Sequence, residues 1–159
     1  MDSLACAGAG SCVAVGGYSP NPPGLEQGFI ATESKGKWGP AVRPRLPLNA
    51  SAATDAGLFG VTCTGRRSCV AVGLYANSSG QIEGMAVAES KGRRGRAIEA
   101  GGRWRRARRI SPPASAGVGN PDQGSFAEEV TCAGGPSCVA VGFCLITSSN
   151  REAMATTVV

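Results

Sequence analysis

The stretch VTCTGRRSCVAVG, residues 61–73, decides the fold of this 159-residue chain, because close versions of it occur twice more. They are LACAGAGSCVAVG at residues 4–16 and VTCAGGPSCVAVG at residues 130–142. All three share Cys-x5-Cys-Val-Ala-Val-Gly, with Ser directly before the second Cys. Recurrence of a segment at this spacing is typical of an array of similar supersecondary units.

A second, weaker match follows each copy of this motif. It consists of GFIATESKG at 28–36, GMAVAESKG at 84–92 and AMATTVV at 153–159. The first Cys residues of successive copies lie 57 and then 69 residues apart. We therefore divide the chain into repeat 1 (residues 1–52), repeat 2 (53–121) and a truncated repeat 3 (122–159). An Arg-rich insertion at about 91–109 accounts for the extra length of repeat 2.

Each repeat is predicted to form four short antiparallel strands. In repeat 2 the first covers residues 59–63, a Gly-containing five-residue loop follows, and the next two cover 69–75 and 84–89. The fourth strand is expected to end near a Gly-x-Trp sequence, which is at Trp38 in repeat 1. Repeat 2 offers two candidate positions for this Trp, Arg94 and Trp104, and we favour Trp104 because it restores the Gly-x-Trp ending. Four strands in about 45 to 60 residues is the size of a propeller blade.

The predicted fold is all-β, a propeller-like array of four-stranded antiparallel blades, with two full repeats and one truncated. The 24 Gly residues indicate many turns, and almost no window has an uninterrupted helical pattern of apolar residues. Residues 40–56 and 111–124, rich in Pro, Ala, Ser and Gly, are the expected connections between blades. A closed ring needs at least four blades. Open blade edges are therefore expected to cause self-association, aggregation or partial disorder.

The motif resembles a repeat of secreted and cell-surface proteins of actinobacteria, in which Cys-x5-Cys-x-Ala-Val-Gly precedes a Gly-Gly-x-Trp strand. The resemblance covers most of the chain and implies a β-propeller fold and an extracellular or cell-surface location, without an activity. Repeat 3 departs from the pattern because it lacks a Gly-x-Trp strand, and no signal peptide precedes repeat 1. The expectation is a fragment of a larger propeller protein.

The six motif cysteines are predicted to form disulfides within each repeat, since a hairpin can place two Cys on adjacent strands about 5.5 Å apart between Cα atoms. The pairs are Cys6–Cys12, Cys63–Cys69 and Cys132–Cys138. Each short loop would stabilise its unit by roughly 2 kcal/mol. Buried reduced cysteines in a cytosolic protein are the alternative; zinc is disfavoured because the spacing is five residues and the chain has no His.

Cys144, the seventh cysteine, has no partner in the repeat and occupies the position of Tyr18 and Tyr75. A packed, inert side chain is the favoured interpretation, with a free thiol or an intermolecular link as alternatives.

Basic residues are concentrated in one segment. Nine of the 16 Lys and Arg residues lie within residues 91–109, and the rest of the chain is slightly acidic. Such a cluster can bind phosphate backbones or an anionic surface, and the candidate anion-binding residues are Arg103, Arg105, Arg106, Arg108 and Arg109. The alternative is a solvated insertion loop. Trp104 is the only aromatic residue within the cluster, which argues against base stacking.

The composition disfavours catalysis, because without His the common Ser, Cys and metal-based arrangements lose their base or ligand. A glycosidase needs only two carboxylates, and Asp55, Glu83, Glu89 and Asp122 are the candidates. Glu33 and Glu89 recur at one repeat position, which suggests a structural role at a strand end. The triplets Asn49-Ala-Ser and Asn77-Ser-Ser fit glycosylation acceptors.

The expected function is that of a non-catalytic extracellular repeat module that binds or scaffolds, with no cofactor and no metal. Its partner is unknown, and a protein or glycan at the cell surface fits the expected location. The chain lacks an apolar run long enough for a membrane span. The alternatives are part of a carbohydrate-active propeller enzyme, and binding of an anionic polymer or nucleic acid through the Arg-rich segment.

Overall fold

The computed structural model describes residues 1–20, 24–52, 55–89, 108–110, 125–133, 137–145 and 151–157. These residues form strands and no helix, so none provides a helix long and apolar enough to cross a membrane. The strands are β1 Ser3–Cys6, β2 Cys12–Tyr18, β3 Gln27–Ser34, β4 Lys37–Trp38, β5 Ala56–Gly65, β6 Ser68–Ala76, β7 Ile82–Ala88, β8 Arg108–Ile110, β9 Ser125–Cys132, β10 Cys138–Leu145 and β11 Arg151–Thr157.

The strands form three antiparallel sheets, one for each copy of the motif. Sheet 1 has the order β1-β2-β3-β4, sheet 2 the order β5-β6-β7-β8 and sheet 3 the order β9-β10-β11. In every sheet the strand that contains Cys-Val-Ala-Val-Gly lies between its two sequence neighbours. The all-β class and the antiparallel pairing predicted from the sequence are therefore confirmed.

The last Gly of the motif is required by a β-bulge in the neighbouring first strand. The register shifts by one residue between Leu58 and Gly60 in sheet 2, and at the matching place in sheet 3. A Cβ on Gly73 would overlap the carbonyl oxygen of Gly57, and one on Gly142 would overlap that of Phe126. A side chain at this position would force the two strands apart.

The three sheets stack face to face in a constant direction. Side chains alternate along β6, so Cys69, Ala71 and Tyr75 lie on one face, called here the front face, and Val70 and Val72 on the other, the back face. One apolar core joins the back face of sheet 1 to the front face of sheet 2, and a second joins the back face of sheet 2 to the front face of sheet 3. Because sheet 2 is covered on both faces, its central strand is a nearly continuous buried run.

Each motif contains one disulfide, formed by Cys6–Cys12, Cys63–Cys69 and Cys132–Cys138. The Cα atoms within each pair are 4.0 to 4.1 Å apart, closer than the expected separation. The short distance arises because the two cysteines are directly opposite one another, where neighbouring strands approach most closely. Three disulfides in a chain of this size indicate an oxidising environment.

Two details of sheet 2 differ from the prediction. The hairpin between the cysteines is tighter than five residues, since the strands continue to Gly65 and Ser68. The fourth strand is Arg108–Ile110, beyond Trp104, and pairs with Gly84–Ala86. Two residues assigned to the insertion, Arg108 and Arg109, thus have strand backbone.

The register of the fourth strand nevertheless favours Trp104 as the counterpart of Trp38. Arg108 pairs with Ala86 as Val42 pairs with Ile30, and these are corresponding positions of the second match. Arg108 and Val42 each follow their Trp by four residues. Trp104 itself lies outside the described residues.

Candidate functional site

The candidate site is a buried polar cluster centred on Glu83, at the start of β7. Glu83 is only 5% exposed, and one of its oxygens, Oε1, accepts a hydrogen bond from Asn77 Nδ2 at 2.9 Å. The other, Oε2, accepts from Asn49 Nδ2 at 3.1 Å and from the Tyr75 hydroxyl. A buried carboxylate is stable only when donors replace its lost water, and these three side chains supply them.

Asn77 is held by the turn that leads into β7. Its Oδ1 accepts the backbone N–H groups of Ser79 at 2.9 Å and of Gln81 at 3.0 Å. This geometry is typical of an Asn side chain that replaces a backbone acceptor in a turn. Because Oδ1 is fixed by the turn, Nδ2 necessarily points to Glu83.

Asn49 comes from the segment that precedes sheet 2. Ala50 forms an isolated antiparallel bridge with Asn77, and the backbone carbonyl of Asn49 accepts the N–H of Ser78 at 2.8 Å. The Asn49 side chain also contacts Tyr75, whose hydroxyl is 2.8 Å from Asn49 Oδ1. The cluster therefore fastens the segment predicted to connect two blades to the end of sheet 2.

These contacts bear on the predicted glycosylation triplets. The side-chain nitrogen of Asn49 and that of Asn77, to which a glycan would be attached, both donate hydrogen bonds to Glu83. Asn77 is also buried. A glycan on either nitrogen would remove a donor from a buried carboxylate. The folded chain thus uses both amides internally.

Tyr75 and Glu83 lie directly opposite each other on β6 and β7. The corresponding pair is Tyr18 opposite Gln27 in sheet 1 and Cys144 opposite Glu152 in sheet 3. In sheet 1 the Tyr18 hydroxyl is exposed, donates to Gln27 Oε1 at 3.1 Å and accepts from Arg43 Nε at 3.1 Å. The Tyr–Glu pair of sheet 2 is therefore the buried version of a position that recurs in the fold. Cys144 lies within β10 at this position.

Two of the candidate carboxylates, Glu83 and Glu89, lie too far apart to form a glycosidase pair with each other. Glu83 and Glu89 are six residues apart along an extended chain, about 20 Å, whereas paired catalytic carboxylates are about 5 to 9.5 Å apart. Asp55 Oδ1 accepts the backbone N–H of Glu26 at 3.0 Å, a link between sheets 1 and 2. Asp122 lies outside the described residues. Within the described residues no group of three His, Cys, Asp or Glu side chains is placed to hold a metal ion.

The candidate anion-binding residues lie mostly outside the described part of the chain. Arg103, Arg105 and Arg106 are outside it, and for Arg108 and Arg109 the backbone is described as strand β8. Among the described strands β8 is at the edge of sheet 2. The basic segment thus ends on a sheet edge.

Comparison of the chain with known protein families, with curated proteins and with solved structures finds no match. Function is therefore inferred from the residues of the chain itself. The polar cluster is not predicted as a unit from the residues alone, since Asn49 and Glu83 are 34 residues apart. The recurrence of Tyr18 and Tyr75 at one motif position was the signal that could have revealed it.

Proposed function

We propose that the chain is a non-catalytic scaffold module of the extracellular or cell-surface space, built on the plan of a β-propeller. The observation that supports this most directly is the constant direction of stacking. Sheets 1 and 2 each turn a Val-rich back face to the Cys- and Ala-containing front face of the next sheet. Successive sheets that pack in this way are typical of propeller blades.

The proposed location is supported by the disulfides. Every copy of the motif uses its two cysteines in a bond inside its own sheet. Structural disulfides persist in secreted proteins and are rare where glutathione keeps thiols reduced.

The scaffold role is supported by the use of polar groups in the interior. Glu83 is surrounded by donors that hold it in place, and Asp55 joins sheet 1 to sheet 2 through the N–H of Glu26. These carboxylates support the architecture. A protein or a glycan at the cell surface is the proposed partner class.

The experiment combines secretion with a glycan screen. The chain is directed to an oxidising compartment, its disulfides are mapped by mass spectrometry, and a glycan library is assayed both for binding and for released sugar. We expect the three mapped pairs and no release. Sugar release that requires the folded chain would contradict the proposal and favour the carbohydrate-active enzyme. Cys63 and Cys69 in the reduced state would contradict the proposed location.

Binding of an anionic polymer is a second candidate, favoured by one observation. Nine basic residues lie within residues 91–109, and the last two are in β8, at the edge of sheet 2. A run of basic residues of this density can bind an extended polyanion by releasing its counterions.

A further inference from the structure

Two apolar faces of opposite type lie uncovered at the two ends of the described stack. On the front face of sheet 1, Leu4 is 51% exposed, and Tyr18 and Trp38 are also exposed. The counterparts of Leu4 and Tyr18 in sheet 2 are Val61 and Tyr75, and both are buried against sheet 1. The front face of sheet 1 therefore has the composition of an interior surface without a sheet in front of it.

The back face of sheet 3 is the complementary case. Val139 and Val141 are 39% and 40% exposed. The valines at the same motif positions in the other sheets are at most 6% exposed: Val13, Val15, Val70 and Val72. Ala153 and Ala155, opposite Phe143 and Val141 in β11, are exposed too. The two valines of the pentapeptide are thus buried where a described sheet follows and exposed where no described sheet does.

The contact that would cover both faces is already present twice within the chain. Back face meets front face between sheets 1 and 2, and again between sheets 2 and 3. We propose that two copies of this chain associate head to tail, with the back face of sheet 3 in each copy packed on the front face of sheet 1 in the other. The inference depends on the proposed propeller plan, because it extends the same stacking from one copy to the next.

Closure of the pair follows from the number of sheets. A back-to-front contact is heterologous, so it must close into a ring or continue as a filament. Propellers close with about four to eight blades. The described residues of one copy form three sheets, too few for a ring, and those of two copies form six. A closed pair is therefore the smallest assembly of this chain that covers both open faces of the described stack.

The area of the faces agrees with a pair that needs both contacts. Three strands of seven residues cover about 14 by 23 Å, so one contact buries about 650 Å² in total and the closed pair about 1,300 Å². Stable specific interfaces bury about 1,200 to 2,000 Å². One contact alone is below this range, and two together reach it.

The hydrogen bond that crosses the contact of sheets 1 and 2 can also form between copies. Ser3 Oγ accepts the N–H of Val61 at 3.2 Å across the contact of sheets 1 and 2. Glu129 occupies the position of Ser3 in sheet 3, since it pairs with Val141 as Ser3 pairs with Val15. Its carboxylate is an acceptor at the place where the N–H of a docked first strand would arrive.

The test uses sedimentation velocity on the oxidised full chain over a range of concentrations. Val141→Glu alters the back face and Leu4→Glu the front face, and both residues are exposed, so the chain is expected to fold. Leu48→Glu is the matched control, because Leu48 is 88% exposed and lies on neither face. Val139→Lys is a second back-face variant for use if Val141→Glu does not fold.

We expect the unaltered chain and Leu48→Glu to form a dimer that stops at two copies. Each face variant should associate at least about 100-fold more weakly, because a charge would be buried without a partner. An equimolar mixture of Leu4→Glu and Val141→Glu keeps one intact contact and should form a mixed dimer that is weaker than the unaltered dimer and stronger than the association of either variant alone.

Three results would overturn the inference. The first is a monomer at all concentrations with all three disulfides formed, which would leave the proposed scaffold function unaffected. The second is a dimer abolished by Val141→Glu but unchanged by Leu4→Glu, which would indicate back-to-back pairing. The third is growth beyond two copies, which would show that the ring does not close.

Discussion

The sharpest test of the stacked arrangement is the substitution Gly60→Ala, at the contact between sheets 2 and 3. A Cβ on Gly60 would be 2.6 Å from the carbonyl oxygen of Glu128 and 3.0 Å from the Cα of Glu129. Both atoms are backbone of β9, so no side chain can rotate away to make room. To restore an ordinary contact of 3.4 Å, β9 must move back by about 0.8 Å.

The expected cost follows from the packing. Inserting a methyl group into a close-packed contact costs about 1 to 3 kcal/mol, and the lower entropy of the unfolded chain with Ala returns about 0.4 to 1 kcal/mol. The difference is a net loss of about 0 to 2.6 kcal/mol, and its midpoint of about 1.3 kcal/mol lowers Tm by about 3 to 5 °C in a chain of this length. Calorimetry measures the loss, and hydrogen exchange should locate it in β9 (Ser125–Cys132) while sheet 1 keeps its protection.

Gly65→Ala is the matched control. Gly65 lies in the same strand, has no heavy atom within 4 Å of an added Cβ and lacks a left-handed backbone. It should be neutral or slightly stabilising. The reasoning is refuted if Gly60→Ala is as stable as Gly65→Ala, or if exchange accelerates in sheet 1 as much as in β9.

Three further substitutions or measurements test the remaining conclusions. Glu83→Ala should lower the free energy of unfolding in urea by about 3 kcal/mol, because it removes the buried acceptor that three side-chain donors of the polar cluster share. Gln27→Ala, at the exposed counterpart, should cost under about 1 kcal/mol, and equal losses would contradict the structural role of the cluster. Thiol titration of the denatured, oxidised chain should find one thiol, Cys144, and a count of three or more would contradict the disulfide pairing. Retention on heparin that falls with salt should disappear when Arg103 to Arg109 are neutralised; retention unchanged by that substitution would remove the polyanion-binding candidate.

The strands and disulfides could be predicted because their signals are local. Cys-x5-Cys requires a tight hairpin, Val-Ala-Val alternates between two faces, and the final Gly marks a bulge, so adjacent residues determine each feature. The fourth strand of sheet 2 lies further along the chain than the sequence predicts, since an Arg-rich segment carries no strand pattern. Its position depends on pairing with β7, about 20 residues distant in the sequence.

The polar cluster could not be predicted, for a related reason. In the sequence, Glu83 is only one of four candidate glycosidase carboxylates, and Asn49 and Asn77 begin triplets that fit glycosylation acceptors. Only the bridge between Ala50 and Asn77 brings the connecting segment beside β7. The chemistry of the three side chains is therefore determined by tertiary pairing.

The pentapeptide Cys-Val-Ala-Val-Gly occurs once in each sheet, so the exposure of its valines can be compared between three identical sequences. Their exposure differs only because their neighbours differ, so the open valines of sheet 3 are not an adaptation to water. The back face of sheet 3 does change at one position, where Glu129 replaces the small residues Ser3 and Gly60 of the other sheets. Gly60 allows the closest approach, since β9 lies against it. A carboxylate at the same position must lose water when another sheet docks. On the head-to-tail proposal, contacts between copies are consequently weaker than those within a copy, and the pair is reversible whereas the three-sheet stack is permanent.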